Sequence, residues 1–273
     1  MTSTVARQPD GTIAITITIP WTDVSKTYED VVAGMVKKAE LPGFRPGNAP
    51  REMVEKNLDK TKVYEEVLKI LIPKSYNEAI TKEQVKPIIN PKIELKDATE
   101  NKDWIFVAYT CEQPKVTLGE YKKAMGELKT KILKPGEEVK KPTLDELLMA
   151  LYNNVTVTIP SLLIEHEVNR LLSELIDQTK KLGLTVEQYL ASTQRTHETV
   201  KKEYEEQAKR TLTLEFALEE IADGEGVVIS DDDIETVIKT GKTDEEKEAL
   251  KKQRYYLASV LRRQKTLDFL ASI

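Results

Sequence analysis

The chain has 273 residues, 32% of them charged and only 6% aromatic, with a formal net charge of −5. That length is comfortable for two domains, and abundant Lys, Glu and Leu with only 11 glycines lean towards helix. An acidic chain does not bind nucleic acid through its overall charge, one cysteine leaves no partner for an internal disulfide, and no apolar run approaches the ~20 residues of a membrane span.

The first ten residues contain no apolar signal segment, so the expected setting is a reducing cytoplasm without membrane attachment. Thr12 to Ile19 alternates strictly, with Ile13, Ile15, Ile17 and Ile19 on one face, which predicts a half-buried strand ended by Pro20. A helix follows, capped at Thr22 or Asp23, with Val24, Tyr28, Val31, Val32, Met35 and Ala39 at helical spacing. It stops at Leu41–Pro50, where three prolines and two glycines in ten residues exclude helix and central strand. Pro50 is suited to open the next helix. A stronger amphipathic stretch carries Tyr64, Val67, Leu68, Leu71, Ile72, Tyr76 and Ile80, with Pro73 expected to kink or break it. Strands are expected at Lys86–Leu95 and Trp104–Cys111. The first region, 1–114, is therefore α+β, a small antiparallel sheet with helices.

Charge divides the chain unevenly. Residues 1–114 hold 16 Lys and Arg against 17 Asp and Glu, residues 115–142 hold 8 against 4, and residues 143–273 hold 17 against 25. The lysine-rich middle stretch, punctuated by prolines and glycines, reads as a linker with room for one short helix around Leu118–Leu133. From Thr143 the pattern is helical throughout. Ser161 caps a helix ended by Gly183, Thr185 and Gln188 form a capping box, Thr196 starts a long helix, and Ser230 caps another. Leu212, Leu214, Phe216, Leu218 and Ile221 cover more than one face of the long helix. Leu257, Val260 and Leu261 extend the apolar surface near the end of the chain. Some of these must meet other helices or face a partner, and Leu212, Phe216, Leu257 and Leu261 are the candidates for binding one.

Little in the sequence points to catalysis. His166 and His197 lie alone on charged faces, no spacing matches a metal site, and no phosphate-binding or nucleophile-elbow motif occurs. Asp231, Asp232 and Asp233 follow the cap Ser230, where a helix dipole favours acids. No cofactor, metal or catalytic residue is expected. The informative segment is Gly43-Phe44-Arg45-Pro46-Gly47-Asn48-Ala49-Pro50, which holds one of only four phenylalanines. The residues alone leave two readings: Phe44 folds back onto its own core, or the loop is a pre-shaped binding finger. In the finger, Phe44 is the apolar anchor and Arg45 a forked donor.

This loop resembles the ribosome-binding signature of bacterial trigger factor. The resemblance extends through Leu71-Ile72-Pro73-Lys74-Ser75-Tyr76, Pro87–Glu94, Val157-Thr158-Ile159-Pro160, Gly183–Leu190, Ala222–Gly226 and Leu267–Leu270, nearly the whole chain. It implies an α+β ribosome-binding domain at 1–114, a linker at 115–142, and an all-α, SurA-like substrate-cradling domain at 143–273. It also implies an ATP-independent chaperone, docked near the exit tunnel of the large subunit through Gly43, Phe44, Arg45, Pro46, Gly47 and Asn48. Nascent or unfolded chains are the implied clients. Two departures stand out. Pro46 and Asn48 occupy positions where the family often carries lysine, and residues 115–142 are too short for the FKBP-like prolyl isomerase domain the family usually inserts. No isomerase activity is therefore expected. The alternative is a ribosome-independent holdase or assembly chaperone, which could be a homodimer.

Overall fold

The computed structural model describes residues 1–39, 50–132 and 142–273. The chain divides into two compact units, Met1–Gln113 with Pro160–Leu162, and Pro114–Ile159 with Leu163–Ile273.

The first unit is a four-stranded antiparallel sheet, β1 (Thr2–Arg7), β2 (Thr12–Ile19), β3 (Lys92–Asp97) and β4 (Trp104–Cys111), in the order β1-β2-β4-β3. In β2 the four isoleucines are all buried. Ile19, Ile17 and Ile15 lie opposite Trp104, Phe106 and Ala108 of β4. Cross-strand pairs of this size, all on one face, hold the register, because a slip of one residue would turn every isoleucine to the other face. Val24 of α1 (Trp21–Lys38) and Val67, Leu71 and Ala79 of α3 (Lys60–Lys82) close the core over that face. Tyr64 bridges the layers, its ring centroid 5.1 Å from Tyr28 and 5.6 Å from Trp104.

Several local expectations change. Helix α1 starts at Trp21 after Pro20, and neither Thr22 nor Asp23 caps it. Instead the Trp21 N–H donates to Asp103 Oδ1 at 2.9 Å, a partner 82 residues away. Helix α3 runs on through Pro73, its buried face of Val67, Leu71, Tyr76 and Ala79 packed against the core. Tertiary burial outweighs the one backbone hydrogen bond that proline removes. The strand expected from Lys86 begins only at Lys92, since Pro87 and Pro91 cannot donate to a ladder. Strand β1 carries no expectation from the sequence. It is a polar edge strand, held by its pairing with β2 rather than by an apolar pattern.

Pro160–Leu162 group with this unit through the β1–β2 turn. Asp10 accepts from Thr12 N–H at 3.0 Å, from the Thr12 hydroxyl, and from both the N–H and the hydroxyl of Ser161. Burial pushes the Asp10 carboxyl up, but these hydrogen bonds outweigh it and hold the pKa at about 2 against an ordinary 3.8. Because the folded value is depressed, the stabilisation is present above pH 3.8 and is lost as pH falls through about 2. Asp10→Asn should therefore cost about 1 kcal/mol near neutral pH after solvent screening, and nothing below pH ~2. Urea melts of both proteins at the two pH values check this, and an equal cost at both would exclude the carboxylate as the cause.

Among its described residues the second unit is helical apart from a ribbon of β5 (Val116–Leu118) and β6 (Val155–Val157). Its helices are α4 (Tyr121–Ile132), α5 (Leu144–Asn153), α6 (Ser161–Lys181, in this unit from Leu163), α7 (Val186–Ser192), α8 (His197–Gly224), α9 (Asp231–Ile238), α10 (Asp244–Lys252) and α11 (Arg254–Ser272). Thr143, Thr185 and Ser230 each form a capping box, closed by Glu146, Gln188 and Asp233. Asp233 is thus spent on a cap and on Lys265, which together hold its carboxyl at about 2.

The short helix expected around Leu118–Leu133 forms as α4, but the described part of the stretch expected as a linker, 115–142, packs into the helical unit. Tyr121 and Met125 of α4 are buried with Leu147 and Leu151 of α5, Ala217, Leu218 and Ile221 of α8, and Leu270 of α11. Lys122 and Lys123 are exposed on α4, and its two apolar anchors suffice to pack it. Helix α8 serves two cores. Its C-terminal half joins this cluster, and Val200 near its start packs with Leu175 of α6 and Leu190 of α7. A third cluster joins Ile234 and Ile238 of α9 to Leu257 of α11.

Candidate functional site

The candidate docking residues Gly43, Phe44, Arg45, Pro46, Gly47 and Asn48 lie outside the described residues. Their frame is described. Helix α1 leads into the segment and α2 (Arg51–Asn57), preceded by Pro50, leads out. Val32, Val54 and Val63 are buried, one each from α1, α2 and α3. Arg51 pairs with Glu29 of α1 and Glu55 of its own helix, and both contacts raise its already high pKa. The pair ties together the two helices that bracket the segment.

This frame is basic. Lys37 and Lys38 end α1, Lys56 ends α2, and Lys60 and Lys62 open α3, all five exposed. Residues 37–62 carry seven Lys and Arg against four Asp and Glu, in a region whose total is slightly acidic. Met53 on α2 is 51% exposed beside them. The arrangement suits an anionic partner with an apolar element, and the regional total conceals it.

The candidate client-binding residues are placed elsewhere than expected. Leu212, Phe216 and Leu257 are buried, and Leu261 packs half-buried against the Ile234–Ile238–Leu257 cluster. A stripe recurring at helical spacing is what neighbouring helices bury, and here they bury it. Exposed apolar groups stand off that pattern. Tyr255 is 94% exposed, Val228 77%, Leu182 69% and Tyr256 65%, with Val260 also open. Of the residues singled out in the sequence for apolar surface, Val260 alone is in this open set. Tyr255 and Tyr256 could have been found as adjacent aromatics in a helix otherwise rich in Arg and Lys.

Among the described residues no group of His, Cys, Asp and Glu could hold a metal ion. His166 and His197 are on the surface. Cys111 is fully buried, and burial first, then the nearby Asp10, pushes its thiol up to about 11, far from a reactive thiolate. No described helix is long and apolar enough to cross a membrane.

The sequence matches the family described as "Bacterial trigger factor protein (TF)" over residues 1–151, and its C-terminal counterpart, "Bacterial trigger factor protein (TF) C-terminus", over residues 121–272. Curated relatives include "Trigger factor" of Staphylococcus aureus strain JH9 and of strain Newman. Each is 33% identical over 122 residues, 45% of this chain and 28% of the relative. The aligned stretch is thus well under a third of those proteins. A solved structure, "Promiscuous Substrate Recognition in Folding and Assembly Activities of the Trigger Factor Chaperone", shares the fold with a TM-score of 0.69. It is 14% identical, and the match covers 100% of this chain and 99% of that one.

Proposed function

The chain belongs to the bacterial trigger factor family, and from that premise we propose that it is an ATP-independent chaperone of nascent and unfolded chains. The Gly43–Pro50 loop docks it on the large ribosomal subunit near the exit tunnel, in the cytoplasm. The helical unit holds the emerging segments. One observation carries the holding role: Tyr255, Tyr256, Val228, Val260 and Leu182 stay exposed on a helical unit that already has a complete core. Apolar groups that the core does not use are available for contact with a client. Many weak apolar contacts release quickly, so no nucleotide is needed to free the client.

Docking is supported by the basic frame. Where Pro46 and Asn48 withhold the loop lysines common in the family, Lys37, Lys38, Lys56, Lys60 and Lys62 supply positive charge on α1, α2 and α3. Co-sedimentation with vacant ribosomes tests this, since a chain that stays in the supernatant at low salt does not dock. In that event the second reading takes over, a ribosome-independent holdase or assembly chaperone, including a homodimeric one. The loop substitutions Pro46 and Asn48 favour it, as does the association of folding and assembly activities with the trigger factor chaperone of similar fold.

The two family matches overlap across residues 121–151 with no third stretch between them. The residues where an isomerase domain would sit include β5 and α4, whose Tyr121 and Met125 belong to the helical core. The protein should not accelerate prolyl isomerisation. A protease-coupled assay on a short proline peptide, too short to need a chaperone, is expected to run at the uncatalysed rate. Turnover in that assay would overturn the assignment.

A further inference from the structure

Helix α6 is divided between the units: Ser161 and Leu162 group with the first, and the rest from Leu163 with the second. Its start is unlike that of its neighbours. Helices α5, α7, α8, α9 and α10 each follow a threonine or serine whose own side chain accepts from the first turn. Ser161, the cap expected from the sequence, is instead the first residue of α6. Pro160 before it has no polar side chain, and the first turn holds no acidic residue. The acceptor comes from Asp10, 151 residues away, which takes the Ser161 N–H at 3.2 Å and the Ser161 hydroxyl. An acid at this end satisfies a donor that has no partner within the helix and meets the positive end of the dipole.

The sheet holds Asp10 ready for this contact. Thr12, buried and paired with Cys111 in the β2–β4 ladder, donates to it from both N–H and hydroxyl. The turn is closed by Gly11 N–H to Gln8 O at 3.0 Å and by Gln8 N–H to Thr12 O at 2.8 Å. Gly11 sits at φ +86°, and a side chain there would come within 3.2 Å of the buried Pro160 ring. Glycine is therefore needed twice over, for the backbone angle and for the close approach. The acceptor stands in place only while β1, β2 and β4 are assembled. Unfolding the first unit takes Asp10 away, and neither Pro160 nor the first turn of α6 offers a replacement.

We propose that the Asp10 turn is a clasp that makes the start of α6 conditional on the folded first unit. The first unit thereby sets the order of a helix whose later turns pack in the second, Leu175 with Leu190 and Val200. A partner that binds and stabilises the first unit tightens the start of α6 as well, because it depopulates the states in which the clasp is open.

Thermolysin digestion of the native full chain, with cut sites read by mass spectrometry, tests this. Leu162, Leu163 and Ile164 supply sites in the first turn. Asp10→Ala should speed cutting there about fivefold, the scale of one lost helix cap. Fluorescence of Trp21 and Trp104, both in the first unit, should not change, so the unit itself stays folded. Adding Pro160→Asp to that variant gives α6 a cap of its own and should return cutting to the parent rate. Val67→Ala loosens the first unit's core; it should speed the same cuts in the parent and leave them unchanged in the doubly substituted chain. Ser161→Ala removes one clasp donor without touching the turn, and should move the cuts in the same direction as Asp10→Ala even where the latter disturbs the first unit. If Ser161→Ala and Asp10→Ala both leave the cuts at the parent rate, or Pro160→Asp does not restore them, the turn serves the sheet alone and the clasp is wrong. If Val67→Ala speeds the cuts equally in both backgrounds, α6 depends on the first unit by another route and the assignment of Asp10 is overturned.

Discussion

Replacing Phe44 and Arg45 together by alanine should lower ribosome affinity at least thirtyfold, with no change in thermal stability. Truncating one anchoring aromatic or arginine at an interface commonly costs ~2 kcal/mol or more, about thirtyfold in affinity. The prolines and glycines around this pair limit the shapes the loop can take, so little of the contact energy is spent on ordering it. Stability should hold because the three helices carry a buried frame of their own at Val32, Val54 and Val63. The salt response separates loop from frame. With five exposed lysines on α1, α2 and α3, affinity for an anionic surface should fall as salt rises. Lys37→Gln with Lys38→Gln should flatten that salt dependence while keeping most of the low-salt affinity. Sedimentation with vacant ribosomes over a salt series measures all of this. A double alanine variant that co-sediments like the parent would show that docking, if present, uses another element.

How legible the molecule was in its sequence depended on where the deciding contact lay. Strand β2 was legible because its four isoleucines state both period and buried face within eight residues. Strand β1 was not, because its reason to be a strand is the ladder it makes with β2. The same holds for the start of α1, whose cap comes from Asp103, far along the chain. Capping boxes at Thr143, Thr185 and Ser230 depend on residues three apart, and the one predicted, Thr185 with Gln188, formed as expected. Helix α4 was expected and formed, but its assignment to a linker misled for the opposite reason. Composition registered its lysines, while its place in the structure is decided by Tyr121 and Met125. The candidate client-binding residues failed on the same ground. Periodicity reports which side chains share a face, not whether another helix covers it, and Leu212, Phe216 and Leu257 are covered. The open residues carry no period and become visible only once the core is counted.

That distinction between stripe and surface gives the second large effect. Phe216→Ala should cost about 3–5 kcal/mol, the usual range for emptying a buried phenylalanine site, and lower the Tm by roughly ten degrees. Its effect on client holding should follow unfolding alone, and a temperature at which the variant stays folded should restore it. Replacing Val228, Tyr255 and Tyr256 together by serine should do the reverse. All three are largely exposed, so Tm should stay within a degree or two, whereas suppression of aggregation of a denatured protein should largely vanish. Salt should change the parent's activity only modestly, since apolar contact carries it. The comparison needs the full chain, or a fragment beginning no later than Pro114. A fragment starting at Thr143 removes Tyr121 and Met125 from the helical core and would fail for want of a fold. Light scattering of a refolding client, read beside circular dichroism melts of each variant, resolves the two effects. A triple serine variant that is folded and still holds clients would move the holding surface away from α11. The next place to look would then be the α6–α7 turn, where Leu182 and Leu184 are also exposed.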